Sequence, residues 1–394
     1  MNRPFKQGVL TNKSQQGSMA IFFVLMLPVL LASMGLALDV GKFYVVRSEL
    51  QNAADACALA AAFELNGTAT QFARANTAGL NLAAQNRVYF QNGAVAGTTV
   101  QFSTTANGGF ANAAPANASF VRCNVNQPNV PIWFNQVVPI GNPTIRATAV
   151  ASNIPAQSSC ALPIGLCSVS VTTPPGTWLP GVQSASNGVT GFFRWIDFDP
   201  PAGGAQDLAE ILSGPNTCNI NTNNPNLPLG QFGTVASPRV HYNTRFGVRA
   251  PGQPALAASV PDISGFSYYP SNFPAQFNAF QDFVNNRRTI NAPYQNNIPE
   301  ISLSANTTIL NANQLRSLGA NRRVAVAPVI NCATQQLERY ACVFLLHPMN
   351  AVGNANFNMF IEYLGDARNA LPCRGFGLAG PSNSNGPRVS ALVQ

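Results

Sequence analysis

From Ser18 to Leu38 the chain reads SMAIFFVLMLPVLLASMGLAL, with no charged position. A run of this length suits the ~20 residues a helix needs to cross a bilayer core. Arg3, Lys6 and Lys13 precede it and Asp39 follows it, so the charge bias predicts a cytoplasmic N-terminus and everything from Asp39 outward beyond the inner membrane. Pro28 lies mid-span, where a kink is tolerated because neighbouring groups re-satisfy the freed carbonyl. A cleavable signal peptide is the competing reading, but its apolar core is usually only ~7–15 residues long. Beyond the run, Phe43, Val46, Leu50, Ala53, Cys57 and Ala60 recur on one helical stripe with no proline among them. The spacing predicts one helix that leaves the membrane and continues for about six or seven turns.

After Asn66-Gly67 the period of Phe72, Ala75, Leu80 and Ala83 predicts a second helix from about Ala69 to Ala84. Thr98–Ser103, Ser119–Val125 and Thr144–Ala151 then read as short strands. The expected architecture is α+β. A transmembrane signal anchor (18–38) follows a cytoplasmic N-terminus (1–17) and continues into a membrane-proximal, pilin-like α+β lobe (39–151). The composition of SNIPAQSS suggests a linker at 152–159, and 160–394 is expected to form a loop-rich, mainly-β domain held by disulfides. In that domain Arg322–Cys332 and Ala341–Pro348 are apolar enough to be central strands of a hairpin, and helices are expected near Phe277–Asn286 and Ala312–Leu318.

Composition narrows the function classes. Only 9% of residues are charged against 46% hydrophobic, where an average soluble domain carries roughly 25% charged residues. The 22 basic and 14 acidic side chains leave a net charge of +8, without the dense cationic field that nucleic-acid binding needs. Disorder is excluded by the hydrophobic content and 25 Phe.

All eight cysteines, Cys57, Cys123, Cys160, Cys167, Cys218, Cys332, Cys342 and Cys373, follow the apolar run, which fits an oxidising compartment. No CxxC pair occurs and there are only two histidines, so a structural zinc site has little to build on. Cys57 on the helix stripe and Cys123, alternating with Val121 and Val125, point to one core and are the first expected disulfide. Cys332 and Cys342 flank the hairpin loop and are expected to face each other; the other four are left without an order.

Enzymatic motifs are scarce. GxSxG, HExxH, the P-loop and GxGxxG with a following acid are all missing. Asp197 and Asp199 share a strand face in RWIDFDP, with Asp207 and Glu210 nearby, which would suit Ca²⁺ or a glycosidase pair. Solvated strand and helix ends explain these acids more simply. His347 before Pro348 reads as a strand-end histidine, and Arg287-Arg288 and Arg322-Arg323 as solvated basic pairs.

The segment QQGSMAIFFVLMLPVLLASMGLALDVGKFYVVRSELQNAADACALAAA closely resembles the N-terminal segment of TadG-like proteins of the Tad (tight adherence, Flp pilus) assembly system. Gly17, Pro28, Asp39-Val40-Gly41, Tyr44 and Leu50-Gln51-Asn52-Ala53-Ala54-Asp55-Ala56 carry the likeness. It implies a non-enzymatic inner-membrane subunit of a pilus biogenesis machine, with its bulk in the periplasm and with other Tad/Flp assembly proteins and pseudopilins as partners. No cofactor, small-molecule substrate or nucleic acid is expected. Pilins of that system are cut after a Gly with Glu at the fifth mature position; Phe22 stands there, so the anchor is expected to be retained. Some relatives carry a von Willebrand A metal site, Asp-x-Ser-x-Ser, but Asp262-Ile263-Ser264-Gly265-Phe266 places Phe266 at the second Ser. Gly17, Gly35 and other small residues of the span, together with Asp55 opposite the stripe, are candidates for subunit contact. A released envelope adhesin and a polysaccharide-acting enzyme using Asp197, Asp199 and Glu210 are the alternatives from other classes.

Overall fold

The apolar run and the alanine-rich stretch after it form one uninterrupted helix, α1 (Gln16–Phe63), in a computed structural model of the chain. The structure describes residues 16–132, 141–159, 161–168, 172–184, 188–191, 193–196, 211–213, 220–221, 238–253, 259–295, 297–334, 336–350, 357–375, 377–381 and 383–393. The chain divides into two compact units, one of residues 1–152 and 392–394, the other of residues 153–391. The fold is α+β, with three disulfides among the described residues.

In the first unit, α1 ends at a turn where Gly67 takes φ +80° and donates its amide to Gln71 Oε1 at 2.7 Å. Helix α2 (Gln71–Gln85) follows and returns along α1. The two approach closely because the facing positions are small: Ala54, Ala58, Ala61 and Ala62 on α1, and Ala75, Gly79 and Ala83 on α2, are all buried. A Cβ added at Gly79 would lie 3.2 Å from Ala61 Cβ, Cys57 Sγ and Val100 Cγ2, so glycine is required by the approach and not by backbone angle. Three consecutive strands, β1 (Gly97–Ser103), β2 (Phe120–Gln127) and β3 (Ile145–Pro155), belong to a four-stranded sheet whose other edge strand is Arg388–Leu392. They form an antiparallel meander with Val100 opposite Cys123 and Cys123 opposite Ala149. Val121, Cys123 and Val125 alternate inward and meet Val46, Leu50, Ala53 and Cys57 of α1 in one core. Each fully buried Val or Leu contributes about 1.5–3 kcal/mol.

Three details differ from the sequence reading. The buried stripe of α1 runs to Ala61 rather than Ala60, and Leu80 of α2 remains 36% exposed while Gly79 takes the inner position. The segment 152–159 is also not a linker in form. Strand β3 continues to Pro155, Ser152 and Asn153 are buried, and Ser158–Ser159 pairs with Ile220–Asn221. Ser152 Oγ donates to the Ser119 carbonyl at 2.7 Å, and the Asn153 carbonyl accepts the Arg388 guanidinium at 2.7 Å.

The second unit is organised by a seven-stranded sheet. In chain order its strands are β4 (Ile164–Cys167), β5 (Trp178–Ser184), β6 (Gly188–Gly191), β7 (Phe193–Trp195), β8 (Val324–Asn331), β9 (Gln336–Leu345) and β10 (Phe357–Asp366). The sheet order is β7-β4-β8-β9-β10-β5-β6, so the apolar hairpin β8–β9 is central, as its all-apolar sequence requires. Leu166, Val329, Val343, Leu345 and Ile361 are fully buried in its core. A helix occupies Ala312–Leu318, opened by a capping box in which Asn311 and Gln314 bond reciprocally. Near Phe277–Asn286 the helix is α over Ala279–Asp282 and widens to a π turn over Phe283–Arg287.

The hairpin register corrects one expected disulfide. Cys342 lies opposite Val326, whereas Cys332 follows the end of β8, six positions further on, so at ~3.3 Å per residue the two are about 20 Å apart along the strands. Instead β4 lies parallel to β8 with Cys167 opposite Ile330, and Cys167 pairs with Cys332. Cys342 pairs with Cys373. Cys160 and Cys218 lie outside the described residues.

Candidate interaction surface of the N-terminal helix

Helix α1 is apolar and uncovered along its first part and packed along its second. Its most apolar window has a mean hydropathy of 2.5 with none of it buried. Ile21 to Leu31, Met34, Leu36 and Leu38 present their side chains outward, and Pro28 lies within this exposed stretch. A single apolar helix of this kind is consistent with a membrane anchor. Gly17 falls in its first turn and Gly35 is half-buried.

Packing begins one residue beyond Leu38. Asp39 is buried, Gly41 is exposed with open space where a Cβ would be, and Tyr44 is 77% exposed. Leu50 is fully buried in the core with Ala53 and Cys57. Cys57 and Cys123 form the disulfide joining α1 to β2, with Cα atoms 6.1 Å apart. Asp55 is half-buried on the flank, where its Oδ1 accepts the Gln51 side-chain amide at 2.8 Å; that amide also donates to the Thr148 carbonyl on β3 at 3.2 Å. Asp55 is therefore tied through Gln51 to the sheet.

A groove of about 890 Å³ lies beside the first two turns after the apolar run. Its walls are Ala37, Leu38, Lys42 and Val45 of α1, the turn at Tyr89-Phe90 and the loop at Pro128–Pro131. Lys42 Nζ donates to the Pro131 carbonyl at 2.9 Å and lies 5.8 Å from the Tyr89 ring centroid. Tyr89, Phe90 and Gln91 all take positive φ, +57°, +57° and +68°, a conformation that disfavours bulky side chains. The Phe90 amide donates to Glu49 Oε1 at 2.9 Å, and the ring stands 73% exposed. Sequence reasoning missed this groove because its walls come from three separated segments. The only local signal was an aromatic pair in a polar turn.

The chemical candidates of the second unit fall elsewhere. Asp197, Asp199, Asp207 and Glu210 lie outside the described residues. Asp262 is not poised for a metal: its carboxylate accepts the backbone amides of Arg322 at 2.6 Å, Arg323 at 3.0 Å and Ser264 at 3.1 Å. Burial pushes its pKa up, while the Arg323 charge and these amides pull it down. Arg322 and Arg323, expected on the surface, are both buried. Arg323 donates to the carbonyls of Leu345 at 2.6 Å, Phe266 at 2.9 Å and Leu346 at 3.0 Å, and stacks 4.1 Å from the Phe246 ring centroid. Five donors on a flat fork let it join carbonyls of several segments, a role that the dipeptide gives no hint of. Of the other pair, Arg287 bonds Asp282 at 3.2 Å and covers the Phe266 ring.

His347 is fully buried at the end of the apolar strand. Its Nε2 accepts the Phe360 amide at 3.0 Å, so Nδ1 carries the proton and donates to the Pro348 carbonyl at 2.9 Å. The ring stacks on Tyr269 with centroids 4.6 Å apart, and burial pushes its pKa down to about 4. It is a structural histidine with both nitrogens engaged.

Residues 17–66 match the model of the Flp pilus-assembly TadE/G-like family, Tad. The matched residues coincide with α1 from its second residue to just past its C-terminus, which is the segment that resembles TadG-like proteins. The match supports a pilus-assembly role. Comparison with curated proteins and with solved structures gives no match.

Proposed function

We propose that this chain is an inner-membrane-anchored, periplasmic assembly subunit of a Tad/Flp-type pilus, without catalytic activity of its own. The observation that carries the reading is the coincidence of the family match with a helix that is uncovered and apolar to Leu38 and then locked into an α+β lobe. In this reading Ser18–Leu38 holds the protein in the bilayer, the N-terminus stays cytoplasmic, and the disulfides form in the periplasm. The partners are other Tad/Flp assembly proteins and pseudopilins, met through the small residues of the span and the exposed flank carrying Tyr44 and Asp55. The experiment is a chromosomal deletion complemented with the full chain. Loss and recovery of surface pili, with the protein resistant to carbonate extraction and digested by protease only from the periplasmic side, is the expected result. Unchanged piliation in the deletion strain, or release by carbonate, would overturn it.

A further inference from the structure

The groove beside Lys42 opens where the uncovered apolar surface of α1 ends, and its first walls, Ala37 and Leu38, belong to that surface. Resting on the anchor reading above, we propose that this groove seats a phospholipid of the bilayer that holds the helix, its acyl chain along Ala37 and Leu38 and its phosphate at the Lys42 ammonium. The depth agrees. A helix rises 1.5 Å per residue, which places Lys42 about 6 Å beyond Leu38. The headgroup layer on each side of the ~30 Å hydrocarbon core is about 5–8 Å thick. The lining residues therefore pass from acyl-chain depth to phosphate depth along the groove.

The chemistry follows the same gradient. The inner walls are aliphatic, and the cation comes one turn later, at the depth where phosphates lie. Tyr44, 77% exposed, is the kind of side chain that collects at the membrane interface, and Phe90, 73% exposed, adds an uncovered apolar ring. The Phe90 ring is not left over from a failed core: its backbone is held by the Glu49 carboxylate in a conformation that costs energy, and the result is an aromatic ring at the groove mouth.

The test places the photo-reactive amino acid benzoylphenylalanine at Leu30, Phe90 or Leu80 of the full chain in its native membrane and identifies the adducts by mass spectrometry after irradiation. Leu30 reports on the anchor, Phe90 on the groove, and Leu80 lines a separate pocket of the same unit with Phe72, Ala73 and Asn76. Phospholipid adducts at Leu30 and Phe90 but not at Leu80 are expected. Lipid adducts at Leu30 with protein adducts, or none, at Phe90 overturn the lipid seat while the anchor stands. Absence of lipid adducts at Leu30 overturns both, and equal lipid capture at Leu80 and Phe90 overturns the seat as a specific site.

Discussion

The Gln51 side-chain amide bridges the Asp55 carboxylate, one turn further along α1, and the Thr148 carbonyl of β3, at 2.8 and 3.2 Å. Replacing Asp55 by Arg removes the acceptor and adds a cation on the flank of the matched segment. Thermal unfolding is expected to change by only about 1 kcal/mol, the scale of one partly exposed hydrogen bond, while piliation falls. Asp55→Asn, which keeps an acceptor, is expected to retain pili. Normal piliation in the Arg variant would remove Asp55 from any subunit contact.

The Cys57–Cys123 bridge closes a sequence separation of 66 residues. By loop-closure entropy its loss should cost about 4 kcal/mol. A Cys57→Ser, Cys123→Ser double variant should unfold earlier by that amount in a denaturant series on detergent-solubilised protein. Peptide mapping of wild type without reductant should recover Cys57–Cys123, Cys167–Cys332 and Cys342–Cys373, and a peptide linking Cys332 to Cys342 would contradict the register of β8 and β9.

Gly79 tests the α1–α2 approach. Leucine there would need room that Ala61, Cys57 and Val100 already fill, so Gly79→Leu should destabilise by at least about 2 kcal/mol despite better helix propensity. A neutral or stabilising result in the same unfolding assay would show that the helices separate more easily than their packing implies.

Asp262→Ala should be among the most damaging substitutions in the second unit, at about 3–5 kcal/mol, because it strips the buried Arg323 of its charge partner and three backbone amides of their acceptor. Asp262→Asn, retaining one oxygen, should lose less. Equal behaviour of the two in urea unfolding would mean that shape matters there and charge does not.

Two buried groups oppose each other in pH dependence. His347 has its folded pKa pushed down to about 4, so between pH 6.5 and 4 the unfolded chain binds a proton that the folded one refuses, and stability falls as pH falls. Glu362 has its pKa pushed up to about 7 by burial, so between pH 4.5 and 7 the folded chain keeps a proton the unfolded one has released, and stability falls as pH rises. The two slopes largely cancel from pH 4.5 to 6.5. Glu362→Gln removes the second, and its stability should then climb with pH across that window by up to about 1.4 kcal/mol per unit. A flat profile in the variant would refute the buried, neutral state of His347.

Sequence patterns revealed what repeats at short range. The helix stripe through Val46, Leu50, Ala53 and Cys57, the alternation of Val121, Cys123 and Val125, and the apolar β8–β9 hairpin each carry a period that one segment suffices to define. What stayed hidden depends on distant segments meeting. The Cys167–Cys332 pairing requires knowing that β4 lies parallel to β8, and burial of Arg323 requires carbonyls from 266, 345 and 346 to converge. The groove was invisible for the same reason, since none of its walls is distinctive until Tyr89-Phe90 and Pro128–Pro131 stand beside α1.

The first unit is assembled from residues 1–152 and 392–394, and within it the Val393 amide donates to the Val150 carbonyl at 2.8 Å. The 153–391 unit is thus an insert whose two attachment points to its host are bonded neighbours. The host's sequence is interrupted there but its core is not: every residue packed on the helix that carries the family match comes from positions 43–151, and the disulfide that holds it, Cys57–Cys123, closes within the same stretch.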